Sequence, residues 1–256
     1  MCSFLLLCYN QFMIDFQVTT NFTDDVDGFI DGGDLDPDIC SRKLQEYHQF
    51  LWSKELPNHS LLSLKIGNCN YDYLHWNGIR FGSDSIINTY WNSYKLSWLI
   101  EQVKQEISKT EDINKFRSKY LQESYTIGGS IIFPKHKCSI NQCRGMYSKI
   151  KDRFDLTLEC IRRYYNKETS PLVNVLISDA NYFDLFIDFK GFVDFFYLQD
   201  LVSNDYKKIN FFLPFDNFTR NPLPKNIEEW FKLHNAQIDF LRLRNKRIEN
   251  SIQKRG

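Results

Sequence analysis

Between Asn181 and Leu201 the chain is almost entirely apolar or aromatic, with phenylalanine at 183, 186, 189, 192, 195 and 196. So many large rings in so short a stretch cannot face water, and the rest of the molecule must be built around them. The expected element is a buried central helix, apolar on every side. The chain as a whole supports such a core, since 256 residues can enclose one well-filled interior and aromatics make up 16%. Glycine (11) and proline (7) are scarce, which argues against a turn-rich all-β architecture.

Elsewhere the elements are read from periodicity and punctuation. Asp38 is placed to cap a helix over 39–52. Residues 60–82 read as short strands, with turns at Asn68-Cys-Asn70 and Asn77-Gly78. Ile87, Tyr90, Tyr94, Trp98 and Ile100 fall near helical spacing and predict a helix over 85–103, continuing to Tyr120 with a break near Lys109. Tyr125 to Phe133 reads as a strand containing Gly128 and Gly129, a pair that signals a bulge or a group lying close to the backbone. Ile150, Phe154, Leu158, Ile161 and Tyr165 predict a helix over 146–165, and 208–214 reads as a strand. Asn226-Ile-Glu-Glu229 is a capping box opening a last helix to about 252. Strands and helices do not alternate as parallel units require. The fold class is therefore α+β, mostly helical, with a small mixed or antiparallel sheet. Residues 13–256 are expected to form a single globular domain, and 1–12 an extension, with Met13 offering a second start.

Thirty-two acidic and 32 basic residues give no net charge, so nucleic acid is not bound through overall charge. Eight aspartates and no Lys or Arg lie between Asp15 and Cys40, and six basic residues against one acid lie between Leu241 and Gly256. Seven cysteines without a close pair suit a reducing, cytoplasmic compartment, and no stretch approaches the length of a membrane span.

The chemistry-bearing residues concentrate between Thr126 and Tyr165. Lys135, His136, Lys137, Asn141 and Arg144 precede the 146–165 helix, where a helix N-terminus and cationic side chains would together suit phosphate. Lys135, Asn141, Arg144 and Arg162 are the expected phosphate-binding residues. On the helix, Asp152, Asp155 and Glu159 would share one face. With His136 they are the candidate acid–base groups, with Mg²⁺ as the candidate cofactor. The same carboxylates could instead pair internally with Arg153, Arg162 and Arg163, in which case the face is structural, and burial decides between the two. The acidic loop around Asp25-Val-Asp27 and Gly32 to Asp36 lacks the spacing of a calcium loop. His136, Cys138 and Cys143 lack a fourth zinc ligand, and no cysteine stands out as a nucleophile. His48 and His234 read as core histidines.

Several blocks stand together: Asp36-Pro-Asp38 with Tyr47-His48 and Leu51 to Lys54; Ser83-Asp-Ser-Ile86; Ile127-Gly-Gly129 with Ile132-Phe-Pro134; Ile140-Asn141 with Arg144-Gly145; Asp152 to Tyr165; and Gly191 to Phe196 with Gln199 to Val202. Over residues 24–250 they resemble an uncharacterised bacterial protein family, a domain of unknown function. The resemblance implies a bacterial origin and one continuous domain, and it supplies no activity or catalytic residue. The abundance of Ile, Asn and Lys suggests an AT-rich host. The expected function is an accessory protein acting on RNA or nucleotides, as an abortive-infection factor in phage defence. The alternative is a non-enzymatic interaction protein, with a homodimer as the expected oligomer and no membrane partner.

Overall fold

The computed structural model describes Phe22, residues 37–67 and residues 73–254. The 1–12 extension, the acidic loop over 23–36 and the Asn68-Cys-Asn70 turn lie outside the described residues. Two helices open the described chain, α1 (Pro37–Cys40) and α2 (Arg42–Trp52). The helix expected over 39–52 is thus divided, because Ser41 takes the capping role and its hydroxyl accepts from the Leu44 amide.

The strands β1 (Lys65–Ile66), β2 (Leu74–Trp76), β3 (Ile79–Ser85) and β4 (Ser130–Pro134) form an antiparallel sheet in that order. Asn77 and Gly78 both have positive φ, 45° and 81°. This is the two-residue turn whose twist suits a hairpin, and it sets the β2–β3 register from Trp76↔Ile79. Between β3 and β4 the chain makes α3 (Ser97–Ile107) and α4 (Ile113–Ser124). The break between them is the one expected near Lys109, fixed by Asp112, which caps α4. The helical start expected at 85 is displaced to 97. Ser85 is the end of β3, and the 86–93 segment turns through a left-handed Tyr90, φ 61°.

After β4 come α5 (Ile140–Arg144), α6 (Phe154–Tyr165), α7 (Val173–Ser178), α8 (Ala180–Phe183), α9 (Phe189–Phe195) and α10 (Ile227–Gln253). Three expectations are corrected here. The helix read over 146–165 begins only at Phe154, because the Ser148 hydroxyl holds the Ile150 and Lys151 amides in a turn, and Lys151 and Asp152 both have positive φ. The Phe-rich run is not one helix. At 100° per residue, rings spaced every third position would wind around a straight helix and point in all directions. Instead the chain breaks at Ile187 (φ 68°) and folds back, and all six rings are buried. The fold-back brings the Phe186 carbonyl so close to Gly191 that a Cβ there would sit 2.1 Å from it. Finally, 208–214 is not a strand. Only Ile209 forms a bridge, to Val202, and the Phe212 amide goes to the Asp155 carboxylate.

The glycine pair also takes a definite form. Ile127–Gly129 is a 3-10 turn ahead of β4, pressed upon by α10: a Cβ on Gly128 would lie 2.5 Å from the Asn245 side-chain oxygen, which accepts the Gly128 amide at 2.7 Å. From the same helix, Arg244 is wholly buried and donates to the carbonyls of Gly128, Ser130 and Phe196. Asn226 caps α10 as expected, accepting from the Glu229 amide at 2.9 Å, while the Glu229 carboxylate accepts from the neighbouring Lys225 amide. The buried apolar side chains form one cluster running from Phe22 to Ile248. Among the described residues no helix is long and apolar enough to cross a membrane.

Candidate functional site

The segment from Lys135 to Asp152 runs alongside β3 and its continuation, contact by contact. The Lys135 amide donates to the Arg80 carbonyl, and its side chain packs over Gly82. Asn141 then donates to the Ser83 carbonyl at 3.4 Å, and Arg144 reaches Asp84 at 2.7 Å and the Ser85 carbonyl at 3.1 Å. Asp152 accepts from Asn88 at 3.0 Å, and the Lys151 carbonyl accepts from the Tyr90 hydroxyl at 2.8 Å. The result is a seam of two chain segments with an opening at each end.

At the middle of the seam, one nitrogen of the buried Arg144 guanidinium (1% exposed) serves both Asp84, at 2.7 Å, and Asp152, at 2.9 Å. Its Nε donates to Thr157 on α6. Burial raises the Asp84 carboxyl to about 7; the attraction of Arg144 opposes this, and the negative charge of Asp152 adds to it. Three residues with left-handed backbone meet here, Tyr90, Lys151 and Asp152, and the hydrogen bonds above brace the two loops that contain them. Those loops form one end of the seam, a pocket of about 380 Å³ lined by Asn88, Asn92, Ser93, Tyr90, Tyr94 and Tyr147.

The other end is a cleft of about 360 Å³ walled by Arg80, Lys135, His136, Ser178, Asp179 and Asn181. The His136 Nε2 lies 2.5 Å from an Asp179 oxygen. Asp179 follows α7 directly and is 4% exposed, whereas the His136 side chain is 44% exposed. A buried carboxylate thus holds an imidazole at the edge of a solvent-reaching cleft, with two cationic side chains beside it. The second Asp179 oxygen is buried and accepts no hydrogen bond from the described residues.

The candidates on α6 separate from this seam. Asp152 precedes α6 and does not share a face with Asp155 and Glu159. Asp155 is fully buried, takes both Arg153 nitrogens Nε and Nη2, and accepts the Phe212 amide. Glu159 is held bidentately by Arg162 and also by Arg163 at 2.7 Å. Hydrogen bonding to Glu159 raises the Arg162 guanidinium above its ordinary range. Burial and pairing therefore put Asp155 and Glu159 in the structural alternative. Of the expected phosphate-binding set, the structure leaves Lys135 at a cleft, lays Asn141 and Arg144 along the seam, and puts Arg162 elsewhere. No helix begins just after Gly145, so the helix N-terminus expected to strengthen an anion site there is absent.

His48 is buried with both nitrogens engaged, by Ser130 and Tyr73, each at 3.0 Å. His234 is buried and stacks on Trp230 and Phe116. Burial pushes the Cys160 thiol up to about 12 and raises that of Cys143. Among the described residues, no group of three or more His, Cys, Asp or Glu is arranged to hold a metal ion. Sequence reasoning missed Asp84, Asp179 and Arg80. Asp84 stood inside the Ser83-Asp-Ser-Ile86 block, a signal that was present; Asp179 lies 43 residues from His136 with no motif to join them.

A family described as "Family of unknown function (DUF6994)" matches residues 14–248. The chain belongs to this family. The match takes in every residue of the seam and both of its ends. None of the curated proteins and none of the solved structures matches the chain.

Proposed function

We propose that this family member acts on RNA or nucleotides, with the His136–Asp179 cleft as its reactive centre. One observation carries the reading: His136 Nε2 lies 2.5 Å from the buried Asp179 carboxylate, in a cleft that also presents Arg80 and Lys135. A carboxylate fixes the tautomer and orientation of an imidazole and steadies the imidazolium that forms when it takes a proton. The flanking cations suit a phosphodiester and the charge that develops on it. On RNA the step balances simply. His136 takes the proton of a 2′-hydroxyl, the 2′-oxygen attacks the adjacent phosphorus, the bond from phosphorus to the 5′-oxygen breaks, and that oxygen gains a proton from water, whose hydroxide the His136 imidazolium neutralises. On a nucleotide, water replaces the 2′-hydroxyl. Mg²⁺, where it takes part, would shield phosphate charge. A bacterial host and phage defence by abortive infection are the setting of this proposal, a reading that rests on composition.

The test is incubation of the purified protein with labelled single-stranded RNA, with ATP and with GTP, with and without Mg²⁺. Turnover should fall roughly 10²–10⁴-fold in His136→Ala, the usual scale of general-base loss. A smaller loss is expected in Asp179→Asn. Full turnover in His136→Ala, or none of any substrate by the native protein, would overturn the reading. A non-enzymatic interaction protein is the second reading, favoured by the exposure of Tyr94, Trp98 and Tyr147. It predicts a dimer in light scattering that Trp98→Ser disperses.

A further inference from the structure

At the opposite end of the seam from His136, the side chains have a different chemistry. Tyr94, which opens a 3-10 turn, is 67% exposed and Tyr147, on a loop, 78%, yet their hydroxyls lie 3.2 Å apart. The Lys95 ammonium sits 4.4 Å from the Tyr147 ring centre. Trp98, one turn along from Tyr94, is also exposed. Beneath these rings the pocket wall is mixed, Trp91, Tyr120 and Met146 standing beside Asn88, Asn92 and Ser93, and the buried Ser93 hydroxyl oxygen has no hydrogen-bond partner among the described residues. Lys149, exposed, and Lys151, half-buried, stand on the loop that carries Tyr147.

Two solvent-facing rings over a pocket of mixed apolar and polar lining, with three lysines nearby, offer stacking, hydrogen bonding and positive charge together. They suit a flat, π-rich group that carries hydrogen-bonding edges and is attached to negative charge. We propose that this pocket binds a nucleobase of a single-stranded nucleic acid whose backbone continues along the seam towards the Arg80–Lys135 cleft. The inference rests on the reading of the His136 cleft given above and names its substrate class: a strand, not a free nucleotide.

The spacing supports a strand. Arg80 lines one opening and Asn88 the other, and eight residues of extended chain reach at most roughly 26 Å. At a rise of about 3.4 Å per nucleotide or more, that corresponds to about eight nucleotides or fewer, within the site sizes of proteins that combine stacking with a cationic track. The two carboxylates between the openings, Asp84 and Asp152, share the Arg144 guanidinium, which offsets part of their charge. Stacking is tolerant of base identity.

The experiment is fluorescence anisotropy with a labelled ten-nucleotide single-stranded RNA, the same sequence as DNA, and labelled AMP. The native protein should bind the RNA at least tenfold more tightly than AMP. Binding should weaken at least fivefold in Tyr147→Ala and further in the Tyr94→Ala/Tyr147→Ala pair, while Tyr147→Phe, which keeps the ring, retains it. Both side chains are largely exposed, so these variants fold. DNA bound as tightly as RNA supports stacking alone; RNA preferred at least tenfold adds recognition of the 2′-hydroxyl. Unchanged affinity in the double variant, or AMP bound as tightly as the strand, overturns the proposal. So does a dimer that the double variant disperses, which makes the patch an interface between copies. Tyrosine-dependent binding without turnover removes the reactive centre and leaves this pocket standing. Turnover without tyrosine dependence does the reverse.

Discussion

At the scale of single residues, the buried titratable groups pull stability in opposite directions with pH. Burial lowers His48 to about 3 and His234 to about 4, with Arg244 and Arg242 adding smaller effects of the same sign. Both are neutral in the fold and protonate near 6.5 when unfolded, so the stability they lend is complete above about 6.5 and is lost as pH falls. Asp84 behaves oppositely. Its folded carboxyl, raised to about 7, holds a proton that the unfolded chain gives up near 4, so its contribution is complete at low pH and fades as pH rises towards 7. Each proton is worth about 1.4 kcal/mol per pH unit. Between pH 5 and 6, two histidines against one aspartate leave a net gain of roughly 1 kcal/mol per unit. Asp84→Asn should about double that slope, measured by denaturant unfolding at intervals across this window. An unchanged slope would mean that Asp84 titrates as an ordinary exposed carboxylate.

At the scale of elements, the Phe-rich run shows what a composition signal leaves open. Burial of all six rings was legible from their number. That they are buried by a broken chain depends on Ile187 adopting φ 68° and on Asp188 capping α9 through the Gly191 amide at 2.7 Å. Gly191 cannot carry a side chain there, since a Cβ would meet the Phe186 carbonyl at 2.1 Å and Pro57 at 3.0 Å. Gly191→Ala should lower stability by about 2 kcal/mol or more, since backbone would have to move, with Gly145→Ala, which meets only an atom 3.9 Å away, as the mild control. Equal effects of the two changes would refute the fold-back account. The 146–165 stripe was misread for a related reason. Ile150 is buried like Phe154 and Leu158, so the pattern reported burial correctly, while the Ser148 turn and two left-handed residues kept the first turns from being helical.

At the scale of the whole molecule, Arg244 joins parts of the chain that are far apart in sequence. It is fully buried and bonds three carbonyls, those of Gly128, Ser130 and Phe196. Burial lowers its guanidinium to about 9, with the nearby Tyr197 opposing the shift. Through it, α10 fixes the turn that enters β4 and the end of α9, and β4 in turn carries Lys135 and His136 to the cleft. Arg244→Met should therefore cost roughly 3 kcal/mol, from acceptors left unsatisfied in the core, and, on the proposed activity, should weaken turnover even though the residue touches neither opening. Thermal unfolding and activity measured together on that variant check the link; a stable variant with native turnover would break it.

Much of this architecture was determined locally. The Asn226 cap of α10, the Asn77-Gly78 hairpin, the break near Lys109 and the α+β class follow from hydrogen bonds and backbone preferences spanning only a few residues, and the sequence carries those whole. The tertiary structure alone decided which charges line an opening and which are paired away from one. Asp155, Glu159 and Arg162 looked like a reactive face, and burial turned them into a brace. Asp84 and Asp179 became partners of Arg144 and His136 across 60 and 43 residues of chain. Such pairings depend on where the backbone returns in space, and an interaction that falls off within a few ångströms leaves no periodicity in the sequence by which to find it.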